Sequence, residues 1–594
     1  MSATDSAPRG NRLFVKKSVE QVQRESAQHH LKRSLGKWNL LFLGIGCIIG
    51  AGIYVMTGNA AANFAGPAVV LSFVVAFFAC VFAGLCYAEL ASTMPVAGSA
   101  YTYSYTTLGE LFAWVMGWLL VLEYGVAAST VAAGWSGNVV SLLGNFGLVI
   151  PGEWTTSFVQ AVQGEGGLTF VTGGGANLLG ALGILAVTAL LVVGISESAN
   201  VNNIIVFIKV GVLLLFVGVG AMFIFNHQPQ AVDNWTPFIP ENEGGFKYGM
   251  PGIFRAASVI FFAYVGFEAV STAAAEAKNP QKDIPFGILG SLIACTILYM
   301  MIALVLTGIV DFRELGVPAP IALAVDRMGT DWFSILIKVG AVAGLSSVML
   351  ILTYGQTRVF YAMARDGLLP QFFAKLHDKF RTPWIGTIVL GIIIAVAAAF
   401  LPIEILGDLV SLGTATAFGI VCLSVMYLRT SQAGLERPFR IPLGGGFVSQ
   451  PVMVIVAAIV VFAFLGFFRF LLQSTWTNTG AIIAGVVLLT LLVMAVVKKG
   501  PKVWIGPVPV LGIFFALIMT GPLIEDIIVK ATSGDPIPAI LLGGYFSLGA
   551  LIYIGYGYRN SRLGHGLPQI DDDGPGPSPQ EALLHGVGDS NKPD

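Results

Sequence analysis

Long apolar runs are the feature that most limits what this chain can fold into. A helix that crosses a bilayer needs about 20 mostly apolar residues, and the sequence contains about fourteen such runs. Only 11% of the residues are charged, roughly half the share of an ordinary soluble domain, so much of the surface must face lipid. We therefore predict an all-α integral membrane protein whose spans 1 to 14 are centred near Ile48, Phe78, Leu122, Leu185, Leu213, Phe262, Leu298, Met349, Ile392, Ile420, Ile459, Leu488, Phe515 and Tyr545.

Several function classes fit the sequence poorly. The net charge of −1 argues against a strongly basic nucleic-acid binder. The six histidines lie in predicted tails and loops, and the five cysteines show no metal-ligand or disulfide spacing. The sequence contains no GxxxxGK[ST] phosphate-binding motif, which argues against an ATP-driven pump. We expect neither an enzyme nor a cofactor or metal site.

The placement of lysine and arginine predicts the orientation. If residues 1–37 lie in the cytoplasm, the loops after spans 6, 8, 10 and 12 lie there too, together with most of the 32 basic residues. We therefore expect both termini in the cytoplasm and the protein in the cell membrane. The loop between spans 3 and 4 is then external and rich in glycine (164–175).

Four regions follow from this pattern. Residues 1–37 form a cytoplasmic leader, either an amphipathic helix at the membrane surface or a solvated segment. Residues 38–430 hold the first ten spans, and residues 431–558 hold spans 11–14. Residues 559–594 are a polar tail that we expect to be disordered.

Span 1 contains a cluster of glycines that weakens a helix. Gly44, Gly46, Gly50 and Gly52 fall within nine residues, and each costs about 1 kcal/mol relative to alanine in a helix. A break inside a membrane persists only where it lines protein or a cavity. Close helix packing through a GxxxG pattern is the alternative interpretation.

Span 6 contains a second irregular segment, FFAYVGFE, with Gly266 and Glu268 in mid-span. Interrupted spans at matching positions of two halves indicate a transporter with inverted repeats and a central site. Glu123 in span 3 and Lys209 in span 5 are also ionisable residues inside spans, where such residues are expensive and functional hypotheses by default. Glu268 could instead cap a helix end, Glu123 could pair with a polar neighbour, and Lys209 could reach the interface.

Five motifs resemble one transporter superfamily. They are LKRSLGKWNLLFLGIGCIIGAGIYVMTG, YAELASTMPVAGSAYTY, FFAYVGFEAVSTAAAEAKNPQKDIPFGI, GQTRVFYAMARDGLLP and RPFRIP. Together they resemble the amino acid–polyamine–organocation superfamily, and within it the cationic amino acid transporter family with its bacterial members. The resemblance covers residues 31–442.

The resemblance implies a fold and a site. The fold is LeuT-like, with spans 1–5 and 6–10 as inverted repeats and spans 11–14 added. The amides of Ala51 and Gly52 would hold the substrate carboxylate, because a helix N-terminus suits an anion. The carbonyls of Ile48, Phe262 and Val265 would accept the α-ammonium group. The implied substrate-binding residues are Ile48, Ile49, Gly50, Ala51, Gly52, Glu123, Phe262, Ala263, Val265 and Glu268.

The resemblance also implies how transport is driven. Lys209 matches a span 5 lysine of proton-coupled members, and Glu123 matches a glutamate that can lie beside the substrate side chain. We therefore expect proton-coupled import of cationic or neutral amino acids by alternating access, with amino acid, proton and lipid as partners. An exchanger of amino acids or polyamines on the same fold is the alternative. The resemblance leaves open whether a small membrane partner binds.

Overall fold

The computed structural model describes residues 12–19, 22, 35–95, 99–164, 167–194, 199–472 and 502–567. Within these residues, 10 helices are long and apolar enough to cross a membrane. They are Gly52–Thr93, Glu110–Gly144, Asn203–Asn226, Gly249–Thr272, Pro280–Ile309, Asp331–Arg365, Ile403–Ser431, Gln450–Arg469, Pro507–Thr532 and Ile537–Asn560. Shorter apolar helices are Lys37–Ile48, Leu178–Val193 and Trp384–Phe400. The protein is therefore a mostly helical membrane protein, as predicted.

Helices occupy the predicted spans wherever the structure describes them. The first long helix bends at Gly66–Pro67, which separates span 1 from span 2 (Val69–Thr93). The run centred on Leu488 lies outside the described residues. The total of about fourteen spans and the inverted repeat therefore remain predictions.

Span 6 occupies the centre of the bundle. In the most apolar stretch of span 6, 89% of the residues are buried inside the protein. The corresponding share is 11% in Gln450–Arg469 and 17% in Ile537–Asn560. Span 7 (Pro280–Ile309) packs against both Lys37–Ile48 and span 2, and Ile403–Ser431 packs against Pro507–Thr532. Spans 11 and 14 thus lie at the periphery, where apolar side chains can face lipid.

The all-α prediction has to be corrected in the loops. Val159–Gly164 pairs with Gly167–Thr172 as an antiparallel hairpin inside the loop expected to be only glycine-rich, and Gly446–Val448 pairs with Val503–Ile505. The hairpin is anchored by Phe170, which packs with Val159 and Ile405 and whose amide donates to Asp535 at 2.7 Å. Outside the hydrocarbon region, pairing satisfies backbone groups that a long loop would leave to water.

Both ends of the described chain pack on one face. Lys17 of the leader forms a buried ion pair of 2.7 Å with Asp366, at the end of span 8. Ser561 and Tyr553 donate to Glu110 at the start of span 3. Residues 559–567 of the predicted tail therefore pack against the bundle; the rest of the tail and most of the leader lie outside the described residues.

A buried arginine connects three spans near the opposite face. Arg255 of span 6 donates to both carboxylate oxygens of Asp408 at 3.0 and 2.7 Å, and to Asp526 at 2.9 Å. Lys530 also contacts Asp526, at 3.0 Å. Because a buried arginine needs compensating charge, these carboxylates tie the helix Pro507–Thr532 to the first ten spans.

Candidate substrate-binding site

Span 1 is interrupted at the glycine cluster. The helix Lys37–Ile48 ends at Ile49, whose backbone is extended (φ −72°, ψ 95°). The chain turns at Gly50, whose carbonyl accepts the amides of Ile53 and Tyr54 at 3.3 Å. The second half begins at Ala51 and continues as a π-helical turn, Gly52–Met56. The first amides of this half, at Ala51 and Gly52, have no preceding turn to accept them, as at any helix N-terminus.

Span 6 is interrupted at the expected segment. The α-helix Gly249–Ile260 tightens into a 3₁₀ turn, Phe261–Tyr264, and Val265 is extended (φ −56°, ψ 131°). Gly266 then adopts φ +120°, a conformation that strongly favours glycine. A short helix, Ala269–Thr272, follows the turn.

The two interruptions touch each other. A Cβ placed on Gly52 would lie 2.2 Å from the Cα of Ala263, and one placed on Gly266 would lie 2.7 Å from the carbonyl carbon of Cys47. Both distances are too short for any side chain, so the backbones pack directly. The residues predicted for the main-chain site thus come together in the centre of the bundle, and all of them are buried.

Some predicted carbonyl acceptors already have partners. The carbonyl of Ile48 accepts the Tyr299 hydroxyl at 2.8 Å, and that of Phe262 accepts the amide of Val265 at 3.1 Å. A carbonyl oxygen has two lone pairs, so each can accept a second donor. Tyr299, in the middle of span 7, is a contact that the sequence analysis missed, because a tyrosine within an apolar run gives no sign of its partner.

Glu123 of span 3 and Glu268 of span 6 are both buried. Glu123 sits in a π-helical segment, Val121–Val126, of the kind often found at functional sites. One carboxylate oxygen of Glu268 accepts the amide of Gly266 at 2.9 Å, but the side chain accepts no amide of the helix Ala269–Thr272 that follows it. The side chains of Glu123 and Glu268 are close enough to act on each other.

Lys209 reaches span 1 from the other side. Its side chain is 1% exposed, and its ammonium donates to the carbonyl of Gly46 at 3.2 Å, in the last turn before the break. Its aliphatic stem lies against Gly344 of span 8. A cavity of about 290 Å³ borders this contact and is lined by Val187, Ile208, Lys209, Gly344 and Ser347, among others. The side chain of Lys209 is thus enclosed by spans 1 and 8 rather than exposed on the surface of the bundle.

Further polar side chains face the interior without a hydrogen-bond partner in the described part of the chain. Among them are the hydroxyls of Tyr87 and Thr353 and the side-chain amide of Gln356. In the sequence analysis Gln356 belonged only to a motif, and Tyr87 had no distinguishing signal. Residues 12–19, 22, 35–95, 99–164, 167–194, 199–472 and 502–567 contain no group of three histidine, cysteine, aspartate or glutamate residues arranged to hold a metal.

Comparison with known proteins places this geometry in a family. Residues 35–493 match the family model for amino acid permeases. The chain is 42% identical to the branched-chain amino acid permease BcaP of Bacillus subtilis, over 79% of this chain and 96% of the relative. It is 44% identical to the methylthioribose transporter of the same organism, over 75% and 90%. It is 37% identical to a vacuolar cationic amino acid transporter of Arabidopsis thaliana, over 70% and 67%.

These relatives are transporters rather than enzymes, and two of them are bacterial permeases, in agreement with a multi-pass protein of the cell membrane. The interrupted spans, the buried central site and the match over residues 35–493 agree with one another. The chain belongs to the amino acid permease family of the amino acid–polyamine–organocation superfamily.

Proposed function

We propose that the protein imports amino acids together with protons by alternating access. The observation that carries the proposal is the direct contact between the interruptions of spans 1 and 6, at Gly52–Ala263 and Gly266–Cys47. At this contact a helix N-terminus and free carbonyl lone pairs lie next to each other, and a zwitterion needs both.

The main chain of the substrate has a natural position there. The amides of Ala51 and Gly52 would hold the carboxylate, and the carbonyls of Ile48, Phe262 and Val265 would accept the α-ammonium group. Ile49 and Gly50 shape the turn, Ala263 backs it, and the Phe262 ring covers the substrate. The inverted repeat of spans 1–5 and 6–10, fourteen spans in total and cytoplasmic termini complete the proposal.

The orientation has support from packing. The leader, the loops after spans 6 and 8 and the segment after span 14 all reach the same face: Leu35 pairs with Ala277, and Lys17 and Arg562 both contact Asp366. This is the face on which most basic residues lie, and basic loops are typical of the cytoplasmic side.

The substrate class follows from the site together with the relatives. The relatives named above are a branched-chain amino acid permease, a methylthioribose transporter and a cationic amino acid transporter. Methylthioribose has neither an ammonium nor a carboxylate, so it would leave the amides and carbonyls of the two breaks without charged partners. We therefore favour α-amino acids, neutral or cationic, with Glu123 and Glu268 facing the side chain.

Uptake by purified protein in liposomes tests this proposal. The panel contains leucine, valine, lysine, arginine, glutamate and methylthioribose, each with and without an inward proton gradient. We expect saturable uptake of neutral or basic amino acids, with accumulation of up to about tenfold per pH unit for each coupled proton. Accumulation of methylthioribose alone would contradict the substrate class. Counterflow that needs internal substrate and ignores the proton gradient would identify an exchanger.

A further inference from the structure

The buried contact between Glu123 and Glu268 has more acceptors than donors. Glu123 is completely buried and Glu268 is 2% exposed. One oxygen of Glu268 accepts the amide of Gly266, but no N–H or O–H group of another described residue donates to its other oxygen or to either oxygen of Glu123. The two carboxyl groups lie within hydrogen-bonding reach of each other, and a hydrogen bond between them needs a proton on one of the two. A buried acceptor without a donor is costly, so a ligand that supplies donors or positive charge would be stabilised here.

The described residues around the pair supply polar groups. Tyr87 of span 2 acts on both carboxyl groups, and its buried hydroxyl also lacks a partner within the described chain. Tyr124 of span 3 and Cys80 of span 2 also lie close enough to act on the pair. Gln356 of span 8 reaches the same region beside Gly125, with neither amide atom bonded to a described residue.

The pair lies next to the proposed main-chain site. Gly266, which donates its amide to Glu268, packs on Cys47, the residue before Ile48. Tyr124, which follows Glu123, also acts on Cys47. A substrate held by its main chain between the two breaks would therefore have these carboxyl groups within reach of its side chain.

Electrostatics limits how the pair can be occupied. Two carboxylates this close in a buried site cannot both stay ionised without a positive charge between them. A proton can supply that charge, and so can the ammonium or guanidinium group of a side chain, which would in addition donate to the unsatisfied oxygens.

We propose that the Glu123–Glu268 pair is a site for one positive charge that is filled either by a proton or by the cationic side chain of a basic amino acid. A basic substrate then displaces a proton into water, and a neutral substrate leaves that proton in place. This inference rests on the proposed function and extends it: one site would accept both substrate classes with the same total charge.

Proton release on binding tests the inference at equilibrium. Arginine is compared with its neutral isostere citrulline, and lysine with norleucine, by calorimetry of the full-length protein in buffers that differ in ionisation enthalpy. We expect the basic member of each pair to release about one proton more than the neutral member. The ratio of Kd for arginine to Kd for citrulline should then fall about tenfold per pH unit as the pH rises. A proton bound or released by Lys209 contributes equally to the basic and the neutral member of each pair, so it cancels in the difference between them.

Variants assign the effect to the pair. In Glu123→Gln/Glu268→Gln the extra proton release should disappear and arginine should bind at least about tenfold more weakly relative to citrulline. Glutamine at position 268 keeps an oxygen that can accept the Gly266 amide. Glu404→Gln removes a half-buried carboxyl near the opposite face, one that accepts Asn59 at 2.9 Å, and should leave the proton difference unchanged.

The outcomes separate this inference from the proposed function. Equal proton release by arginine and citrulline, binding of neutral amino acids alone, or a proton difference that survives in the double variant would each overturn the site. Amino acid transport itself would still stand in all three cases. If no amino acid binds, the proposed function fails instead. If the double variant does not fold, the wild-type proton difference decides.

Discussion

At the scale of single residues, Lys209 is the buried ionisable side chain that joins span 5 to span 1. Its ammonium donates to the carbonyl of Gly46, directly before the break. A lysine buried in this way loses part of its stabilisation when it is charged, so protonation can depend on conformation. Gain or loss of the proton would therefore strengthen or weaken the contact that holds the first half of span 1.

We expect Lys209→Ala to abolish proton-driven accumulation while the protein stays folded. Accumulation under a gradient of one pH unit should fall from about tenfold to the level without a gradient. Counterflow of the same amino acid measures whether the site survives. Lys338→Gln is a matched control, because Lys338 is a buried lysine of span 8 that pairs with Asp326 at 2.7 Å, away from the breaks. Undiminished accumulation by Lys209→Ala would remove this lysine from the mechanism.

Which individual residues matter could be predicted only where the residue type is costly in a membrane. Glu123, Lys209 and Glu268 stand out because charged groups are rare in apolar runs. Tyr299 and Tyr87 do not stand out, since tyrosine is common in spans and their partners are distant in sequence. The partners of Arg255, 153 and 271 residues further along the chain, were equally hidden.

At the scale of helices, the interruptions of spans 1 and 6 were predictable, but their mutual contact was not. Glycines in mid-span weaken a helix locally, which a sequence reveals. That Gly52 packs on Ala263 depends on how two distant spans cross. The same holds for the hairpin of Val159–Gly164 and Gly167–Thr172, which is fixed by a tertiary contact between Phe170 and Ile405.

We expect Gly52→Ala to reduce uptake by about 100-fold, because even a small displacement of a binding site has an effect of this size. The added Cβ would lie 2.2 Å from a backbone atom of Ala263, so one of the two breaks must shift. Gly211→Ala is the control: it lies in a spanning helix with no neighbour within 4 Å and should transport normally. Uptake and melting temperature are measured for both. Wild-type uptake by Gly52→Ala would show that the breaks need not touch.

At the scale of the whole molecule, the leader packs against the same face of the bundle as the first half of span 1. If the site opens on that face, this half-helix must move away from the bundle. Lys17 pairs with Asp366, which also accepts the Tyr101 hydroxyl at 2.7 Å, and the carbonyl of Val15 accepts the amide of Glu110 at 3.0 Å. The leader is thus held by the ends of spans 3 and 8 before the chain continues into Lys37–Ile48. The fastening limits how far this half-helix can move.

Cys47 provides a chemical readout of that movement. It is 6% exposed, packs against Gly266 and is one of five buried cysteines, so we expect a reagent to reach it only when the site opens. If the closed form becomes about 1.4 kcal/mol less stable relative to the open form, a small open population rises about tenfold. We therefore expect Lys17→Ala to raise the rate of Cys47 alkylation by about that factor, with peptide mass spectrometry locating the modified thiol. Lys247→Ala, which removes an exposed ion pair with Glu243, should leave the rate unchanged. An unchanged alkylation rate in Lys17→Ala would mean that the contact between the leader and Asp366 does not restrain span 1 as the site opens.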